Sequence, residues 1–293
     1  MLVDICVCTF RRPHIANTLA SLQALDVPPE VVLRIIVADN DESDSARALV
    51  EGQPGETPVG YIHAPARNIS VARNACLEAS DADWIAFIDD DELADPDWLV
   101  ALIAEAQASG ADAVFGPARA IYATQAPAWM VAQDYHSNLP ETRGGEVLTG
   151  HTCNALLRWA DTNWYHERFD LARGQTGGED TEFFFRLHRL GARYAVAWEA
   201  VVHEEVTPER LTYDWLRTRK YRSGQSYAVS ATSTAARLKL GTLAALKAAL
   251  SSAMALALMF NTDRRMFWRL RAALHRGVVA GCLSMQEDAH YGH

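Results

Sequence analysis

Five apolar residues, Trp84-Ile85-Ala86-Phe87-Ile88, run without a break into four acids, Asp89-Asp90-Asp91-Glu92. Few arrangements accommodate both halves. The apolar run is bulky and lacks the alternation of a half-exposed strand, so it is predicted to lie in a sheet covered on both faces. Four adjacent carboxylates repel one another, and burying them unpaired is costly. The strand is therefore expected to end at Ile88, leaving the acids at the carboxyl edge of a sheet, where open α/β folds bind ligands. Hard cations such as Mg²⁺ take oxygen ligands, often one or two carboxylates completed by substrate phosphates. A solvated acidic loop is the alternative. The buried strand before the acids and Pro96 at a helix start after them favour a ligand site.

The rest of the front half repeats this pattern of a strand followed by a polar edge. Leu2 to Cys8 reads as a strand ending in Thr9-Phe10-Arg11-Arg12-Pro13, and Val31 to Ala38 as a second ending in Asp39-Asn40-Asp41. Val59 to His63 reads as a third, followed by Arg67-Asn68. Helices are predicted between them: Ile15, Leu19 and Leu22 recur at helical spacing, Ser43 to Val50 is a short helix, and Ser70 opens another. A helix from Asp97 to Ala108 and a strand from Ala113 to Phe115 continue the alternation, which implies βαβ units and a mostly parallel sheet. No Gly-x-Gly-x-x-Gly follows the first strand, so a dinucleotide-binding fold lacks its fingerprint. Tyr122 to Gly150 is irregular, and a loop of that length in a compact domain is usually functional or disordered. Residues 179–191 are predicted helical, and Tyr194 to Val202 a strand ending in His203-Glu204-Glu205.

Charge divides the chain. The net −10 hides −19 over residues 1–209 and +11 over 210–276, where 13 Lys and Arg meet only Asp214 and Asp263. The acidic front disfavours nucleic-acid binding. The basic part holds a helix from Leu211 to Arg222, a largely apolar run from Thr242 to Phe260, and Asp263 to Arg276 with Met266, Phe267, Leu270 and Leu274 among its arginines. The apolar run is borderline for a membrane span, which needs about 20 apolar residues, and a packed or interfacial helix is expected. Asp263 to Arg276 reads either as a basic amphipathic helix on an anionic membrane surface or as a capping helix with a solvated basic face. The scattered cysteines, Cys6, Cys8, Cys76, Cys153 and Cys282, have no metal-type spacing and fit a reduced, cytosolic setting. The chain opens with a strand-like run rather than a signal peptide.

Asp89-x-Asp91 after a buried strand, followed by Asp95-Pro96-Asp97-Trp98-Leu99, resembles the metal-binding motif of GT-A-fold glycosyltransferases. Gly177-Gly178-Glu179-Asp180-Thr181-Glu182-Phe183 resembles the Glu-Asp motif of their large inverting, nucleotide-sugar-dependent family 2 group. The resemblance covers residues 2 to 225. It implies a GT-A-like (Rossmann-like) α/β fold with a mostly parallel central sheet flanked by helices. Residues 1–120 would bind the nucleotide and 121–225 the acceptor and sugar, with 226–293 a basic, helical C-terminal appendage. The implied reaction moves a sugar, expected to be a hexose, from a nucleotide-diphosphate sugar, expected to be UDP-linked. The implied acceptor is a glycan or lipid-linked glycan of bacterial polysaccharide synthesis. The expected metal is Mg²⁺ or Mn²⁺, and the expected place is the cytoplasm or the inner face of its membrane.

Carried over position by position, the resemblance makes Asp180 the general base, Glu179 an acceptor contact, Asp91 the first metal ligand and His203 a second. Asp89 and Asp90 would hold ribose and metal-bound water. Thr9, Arg11 and Asp39 would bind the nucleotide, Asp39 by accepting from a ring N–H. A turn-forming role beside Asn40 is the alternative for Asp39. Arg67 and Arg73 flank Asn68, which stands where a helix cap would. Cations there suit a diphosphate, or they neutralise the local acids. Asn154, in His151-Thr152-Cys153-Asn154, is matched to the donor-sugar side, although the family often has Gly-Asn where this chain has Cys-Asn. Trp129 and Trp164 either stack on sugar rings or pack. Two other functions remain open. A nucleotidyltransferase of related fold would usually have a Gly-rich first loop, which is missing. A non-catalytic nucleotide- or glycan-binding module would not need both Asp89-x-Asp91 and Glu179-Asp180.

Overall fold

The computed structural model describes residues 1–142 and 144–283. The front half alternates as expected: β1 (Leu2–Thr9), α1 (Ile15–Gln23), β2 (Val32–Asp39), α2 (Arg47–Glu51), β3 (Val59–His63), α3 (Ile69–Ala79) and β4 (Trp84–Asp89). It continues through β5 (Glu92–Ala94), α4 (Trp98–Ser109), β6 (Ala113–Phe115), β7 (Ala118–Ile121), α5 (Ala128–Val131), β8 (Asn154–Arg158) and α6 (Glu179–Arg189). Then follow β9 (Tyr194–Val196), β10 (Val202–Glu205), α7 (Tyr213–Tyr227), α8 (Thr234–Ala257) and α9 (Thr262–Cys282).

The main sheet has the order β3-β2-β1-β4-β8-β6-β9. All neighbours run parallel except β8, which is antiparallel to both β4 and β6. The carboxyl ends of β1, β2 and β4 therefore share one edge. The reversed β8 brings its first residue to that same edge, with Asn154 opposite Ile88. Side chains alternate across each strand. Val3, Ile5 and Val7 of β1 enter a core with Ile15 and Leu19 of α1 and Trp98 and Leu102 of α4. Cys6 enters the opposite core with Phe87, Phe115 and Leu157, covered by Cys76 of α3 and Phe183, Phe184 and Leu187 of α6. There Phe169 stacks on Phe183, centroids 4.1 Å apart, and meets the edge of Phe87.

Two elements differ from expectation. β8 lies just beyond a stretch that reads as irregular, and its four buried residues are apolar apart from Asn154. The strand expected from Tyr194 to Val202 is broken by a turn in which Ala200 N–H donates to Ala197 O. Its first part pairs with β6 in the main sheet, and its last residue starts β10, which pairs with β5 in a smaller sheet of order β5-β10-β7.

Among the described residues the chain forms two compact units, residues 1–119 with 137–204, and residues 120–136 with 205–283. This differs from the boundary expected at 225 because α7 belongs to the second unit. Leu216 of α7, Leu270 of α9 and Met130 of α5 form one small core, flanked by Trp129, Tyr135 and Trp215. The backbones of α7 and α9 touch at two glycines: a Cβ at Gly224 would strike Leu274 O, and one at Gly277 would strike Tyr221 O. The C-terminal tail beyond 283, part of the expected appendage, lies outside the described residues.

Gly277→Leu should force α7 from α9 and cost about 1–3 kcal/mol, the usual penalty for overpacking a filled site. Gly241→Ala on α8, where the new methyl meets only the Cys282 side chain at 3.4 Å, should be neutral or slightly stabilising. Urea unfolding of both variants checks this; equal stability of the two would show that the glycine crossing does not hold these helices together.

Candidate active site

The site is built on the carboxyl edge of the main sheet. Thr9, the last residue of β1, donates its hydroxyl to Asp90 Oδ2 at 2.7 Å. Arg11 follows with φ 55, in the left-handed region, and donates Nε to Asp41 Oδ1 at 2.8 Å. Arg12 then reaches the acids after β4, with Nη1 at 2.9 Å from Asp90 Oδ1 and 2.6 Å from Asp91 Oδ2. Asp90 is thus buried against Thr9 and Arg12, whereas Asp91 keeps partial access to solvent.

Behind these acids stands Arg73. Asn68 caps α3 by accepting from Ser70 N at 3.0 Å and Val71 N at 3.4 Å, which sets the helix start. One turn on, Arg73 is 7% exposed. Its guanidinium ion-pairs with Glu179 of α6, lies 3.8 Å from Asp89 of β4, and sits over the Phe169 ring. It therefore joins the acids of β4 to those of α6.

Negative charge still exceeds the two guanidiniums. Desolvation, with Asp91, Asp90 and Glu204, pushes Asp89 up to about 7 against the pull of Arg73. Desolvation and Asp91 push Asp90 up to about 6 against Arg12. Glu92 is fully buried and accepts Asp89 N–H at 2.9 Å; desolvation, Asp89 and Glu204 raise it well above the carboxylate range. Glu179 is raised by burial and by Asp180, again against Arg73. Such a surplus on oxygen-only donors suits a hard divalent cation. No three His, Cys, Asp or Glu side chains form a metal cluster among the described residues. A cation here would take one or two carboxylates, Asp91 and Asp89, and complete its shell from a substrate.

Asp180 opens α6 behind Gly177 and Gly178, whose φ of 95 and 80 favour glycine. Asp180 Oδ1 accepts Thr181 N–H at 2.6 Å, and Oδ2 lies 2.9 Å from His151 Nδ1. Burial pushes this carboxyl up, but His151, Arg73 and the Thr181 N–H outweigh it and hold Asp180 at about 2. Thr149 fastens the His151 segment to α6 by donating its hydroxyl to Thr181 O at 2.9 Å.

Several expected residues are placed differently. Asp39 is wholly buried and braces its own turn: its oxygens accept from Asp41 N, Ala46 N and the Tyr61 hydroxyl, all within 3.0 Å. The turn-forming alternative describes it. Asn154 is 1% exposed and engaged on both sides, accepting from Trp98 Nε1 and donating to Pro117 O and Ala200 O. These bonds lock β8 into the fold. His203 pairs with Asp95 at 3.1 Å instead of joining Asp91. In β10 it stands opposite Leu93, while Glu204 stands opposite Glu92 and faces the acids. Arg67 pairs with Glu42 at the surface. Trp164 donates to Arg158 O and Trp129 packs on Tyr135. Sequence reasoning passed over Arg12, Glu92, Glu204 and His151. The first three were visible as charges beside the motifs, but His151 had only its place three residues before Asn154.

A family model described as "Glycosyl transferase family 2" matches residues 4–161, and one described as "Glycosyl transferase family group 2" matches 84–280. The chain is 47% identical to the succinoglycan biosynthesis protein ExoM of Rhizobium meliloti (strain 1021), over 99% of this chain and 96% of that one. Its fold is similar to that of the mannosyltransferase PcManGT of Pyrobaculum calidifontis, solved in complex with GDP-Man and Mn²⁺. That pair has a TM-score of 0.65 at 17% identity, covering 97% of this chain and 88% of the other. It is also similar to S. aureus TarS 1–349 in complex with UDP-GlcNAc, with a TM-score of 0.54 at 15% identity over 94% and 92% of the two chains. The chain spans 43% of the longer TarS chain.

The depressed Asp180 carboxyl makes a stability prediction. A group held at about 2 when folded, against 3.8 ordinarily, stabilises the folded state above pH 4 and stops doing so as pH falls through 2. The shift corresponds to about 2 kcal/mol. Asp180→Asn should therefore lose less stability than wild type between pH 5 and 2. Urea titrations at those pH values that fall in parallel for the two proteins would show that His151 and Arg73 do not hold Asp180 ionised.

Proposed function

The chain belongs to glycosyltransferase family 2, and on that premise we propose that it transfers a hexose from a UDP-linked sugar to a lipid-linked glycan, with inversion at the anomeric carbon. The 47% identity to ExoM supports a role in exopolysaccharide biosynthesis. The observation that carries the reading is Arg73, because it unites the Asp89–Asp91 edge with the Glu179–Asp180 pair. The donor's diphosphate belongs beside Asp91 and Arg12, and the acceptor beside Asp180. The acceptor oxygen bonds to the anomeric carbon as the bond to the diphosphate breaks, and its electron pair leaves on the diphosphate. The transition state resembles the oxocarbenium ion of glycoside hydrolysis. Mg²⁺ or Mn²⁺, held by Asp91 and Asp89, would neutralise the departing diphosphate. The hydroxyl proton leaves toward the start of α6, where Asp180 stays ionised throughout the neutral range. Glu179, braced by Arg73, steadies that corner.

The donor is tested by thermal melting with UDP-glucose and GDP-mannose, each with and without Mn²⁺. UDP-glucose at 100 times its dissociation constant should add about 2.7 kcal/mol. Asp91→Ala should lose the Mn²⁺-dependent part of that gain together with turnover, and an α-linked donor should yield a β-linked product. Stabilisation by GDP-mannose alone would reassign the base, and a product of retained configuration would overturn the mechanism.

The lipid-linked acceptor is supported by the second unit. α8 has 24 residues, a mean hydropathy of 1.5 and only 17% of its apolar window buried. Its small residues Ala244, Ala248 and Ser251 are covered, and Arg276 of α9 donates to Ser252 Oγ. Leu238, Leu246, Leu250 and Leu256 are exposed, and Phe260 beyond the helix is 94% exposed. Lys239 and Lys247 are exposed on the same helix, and Arg264, Arg269 and Arg271 are exposed on α9. A long apolar stripe accompanied by basic side chains suits the surface of an anionic bilayer. Wild type should sediment with phosphatidylglycerol vesicles at low salt, and high salt should release it only in part because apolar burial is not screened. Replacing Arg264, Arg265, Arg269 and Arg271 together by Gln should shift part of it to the soluble fraction, as high salt does, while transfer to a soluble acceptor survives. No sedimentation at low salt would make α9 a capping helix.

A further inference from the structure

We propose that α3 acts as a polar rail that delivers the acidic start of α6 to the site, with Asn74 and Asn68 as positioning residues for the transfer. The inference rests on the reaction proposed above. β8 runs antiparallel to β4, so it ends at the far edge of the sheet, where Trp159 N–H donates to Asp83 O at 2.8 Å. The chain must then return to the carboxyl edge before Glu179. Residues 159–178 make that return without a strand or an α-helix. The backbone N–H and C=O groups of such a segment lack ladder partners and need others.

Side chains of α3 supply them in order. Arg168 Nε lies 3.7 Å from Glu78 in the last turn of the helix. Asn74 grips the next residue at both backbone groups: its Oδ1 accepts Phe169 N–H at 2.8 Å, and its Nδ2 donates to Phe169 O at 3.0 Å. Ser70 Oγ donates to Asp170 O at 2.9 Å, and Asn68 Nδ2 donates to Leu171 O at 2.9 Å. Ile69 N–H donates to Gly174 O at 3.0 Å. The segment thus follows α3 from its last turn to its first. Ser70, Asn74 and Glu78 recur at the spacing that shares one helix face. At the first turn the approach is close, because a Cβ at Gly174 would strike Asn68 Oδ1 and Ser70 N. Asn68 is used twice: its oxygen caps α3, and its amide N–H holds the returning chain.

Two contacts join the rail to the acids. Phe169, held by Asn74, stacks on Phe183 of α6 with centroids 4.1 Å apart, and its ring lies 5.6 Å from the Arg73 guanidinium. Arg73 in turn ion-pairs with Glu179. Beyond Leu171 the chain reaches Gly177 and Gly178, where glycine leaves the backbone free to turn. The bonds before these glycines and the packing of α6 behind them therefore set where Asp180 stands. A reacting group displaced by about 1 Å can cost about 10²-fold in rate. Asn68 and Asn74 act on the acceptor side through the returning chain, whereas the donor edge is built on β1, β2 and β4.

Two variants of the full chain test this. Asn74→Ala removes both bonds to Phe169 and puts a better helix former into α3. Asn68→Ser keeps a cap oxygen but is too short to reach Leu171 O. In each, hydrogen–deuterium exchange over residues 169–178 should quicken, while the β1, β2 and β4 segments exchange as in wild type. In transfer from UDP-glucose, kcat should fall by about 10²-fold with the donor KM unchanged. Wild-type exchange over 169–178 in both variants would overturn the rail whatever the donor. Faster exchange with wild-type kcat would reduce the two asparagines to a stabilising role and sink the proposal, as would a donor KM that rises in step with the loss of kcat. Absence of transfer by wild type from any nucleotide sugar would count against the transferase reading, while the exchange still decides whether α3 holds the returning chain.

Discussion

The architecture of this site depends on one buried cation. Acids from the end of β4 and from the start of α6 crowd one sheet edge, and their mutual repulsion would open that edge if nothing stood between them. Arg73 stands there, nearly out of water, with Glu179 on one side and Asp89 on the other. Removing a guanidinium from water costs several kcal/mol, so a buried pair contributes little net stability; removing only one partner of such a pair is far more damaging. What the pair contributes is arrangement: α3, β4 and α6 take up one geometry, with the carboxylates aimed at the edge. Arg12 repeats the device on the outer side, holding Asp90 and Asp91. Carboxylates that remain only partly compensated give the edge oxygen donors of the kind hard cations take.

The reversal of β8 matters nearly as much. A parallel sheet places strand ends at its carboxyl edge, and an antiparallel strand places its beginning there. β8 runs against β4, so the residues just before it reach the same edge as the residues just after β4. That is how His151 comes to Asp180, 29 positions away in the chain. Asn154 makes the insertion rigid, since its amide is fully used by Trp98, Pro117 and Ala200. The second unit obeys a different logic. α7 and α9 approach through glycines, while α8 leaves its leucines uncovered.

Most of the fold was legible in the amino-acid order because the signals are local. Unbroken apolar runs ending in polar residues mark covered parallel strands, and the intervening periodicity marks helices. The two acidic motifs, Asp89-x-Asp91 and Glu179-Asp180, were legible for the same reason, the first where a strand ends and the second where a helix begins. The charge division was legible as well, since it needs only counting.

The partner of each side chain was decided by tertiary structure. Asp39 ends its strand as a nucleotide-binding acid would, yet its oxygens belong to Asp41, Ala46 and Tyr61. His203 and Glu204 are neighbours, but strand alternation sends one to Asp95 and the other toward Glu92. Choosing between them requires the register of β10 against β5, which no local pattern carries. The charge state of Asp180 depends on a histidine from another element, and that of Asp89 on an arginine from a third. Periodicity and composition are properties of consecutive residues, so the chain alone determined the sheet, its edge and the acids on it. Electrostatic pairing is a property of distance in space, and only the folded molecule settles which charge answers which.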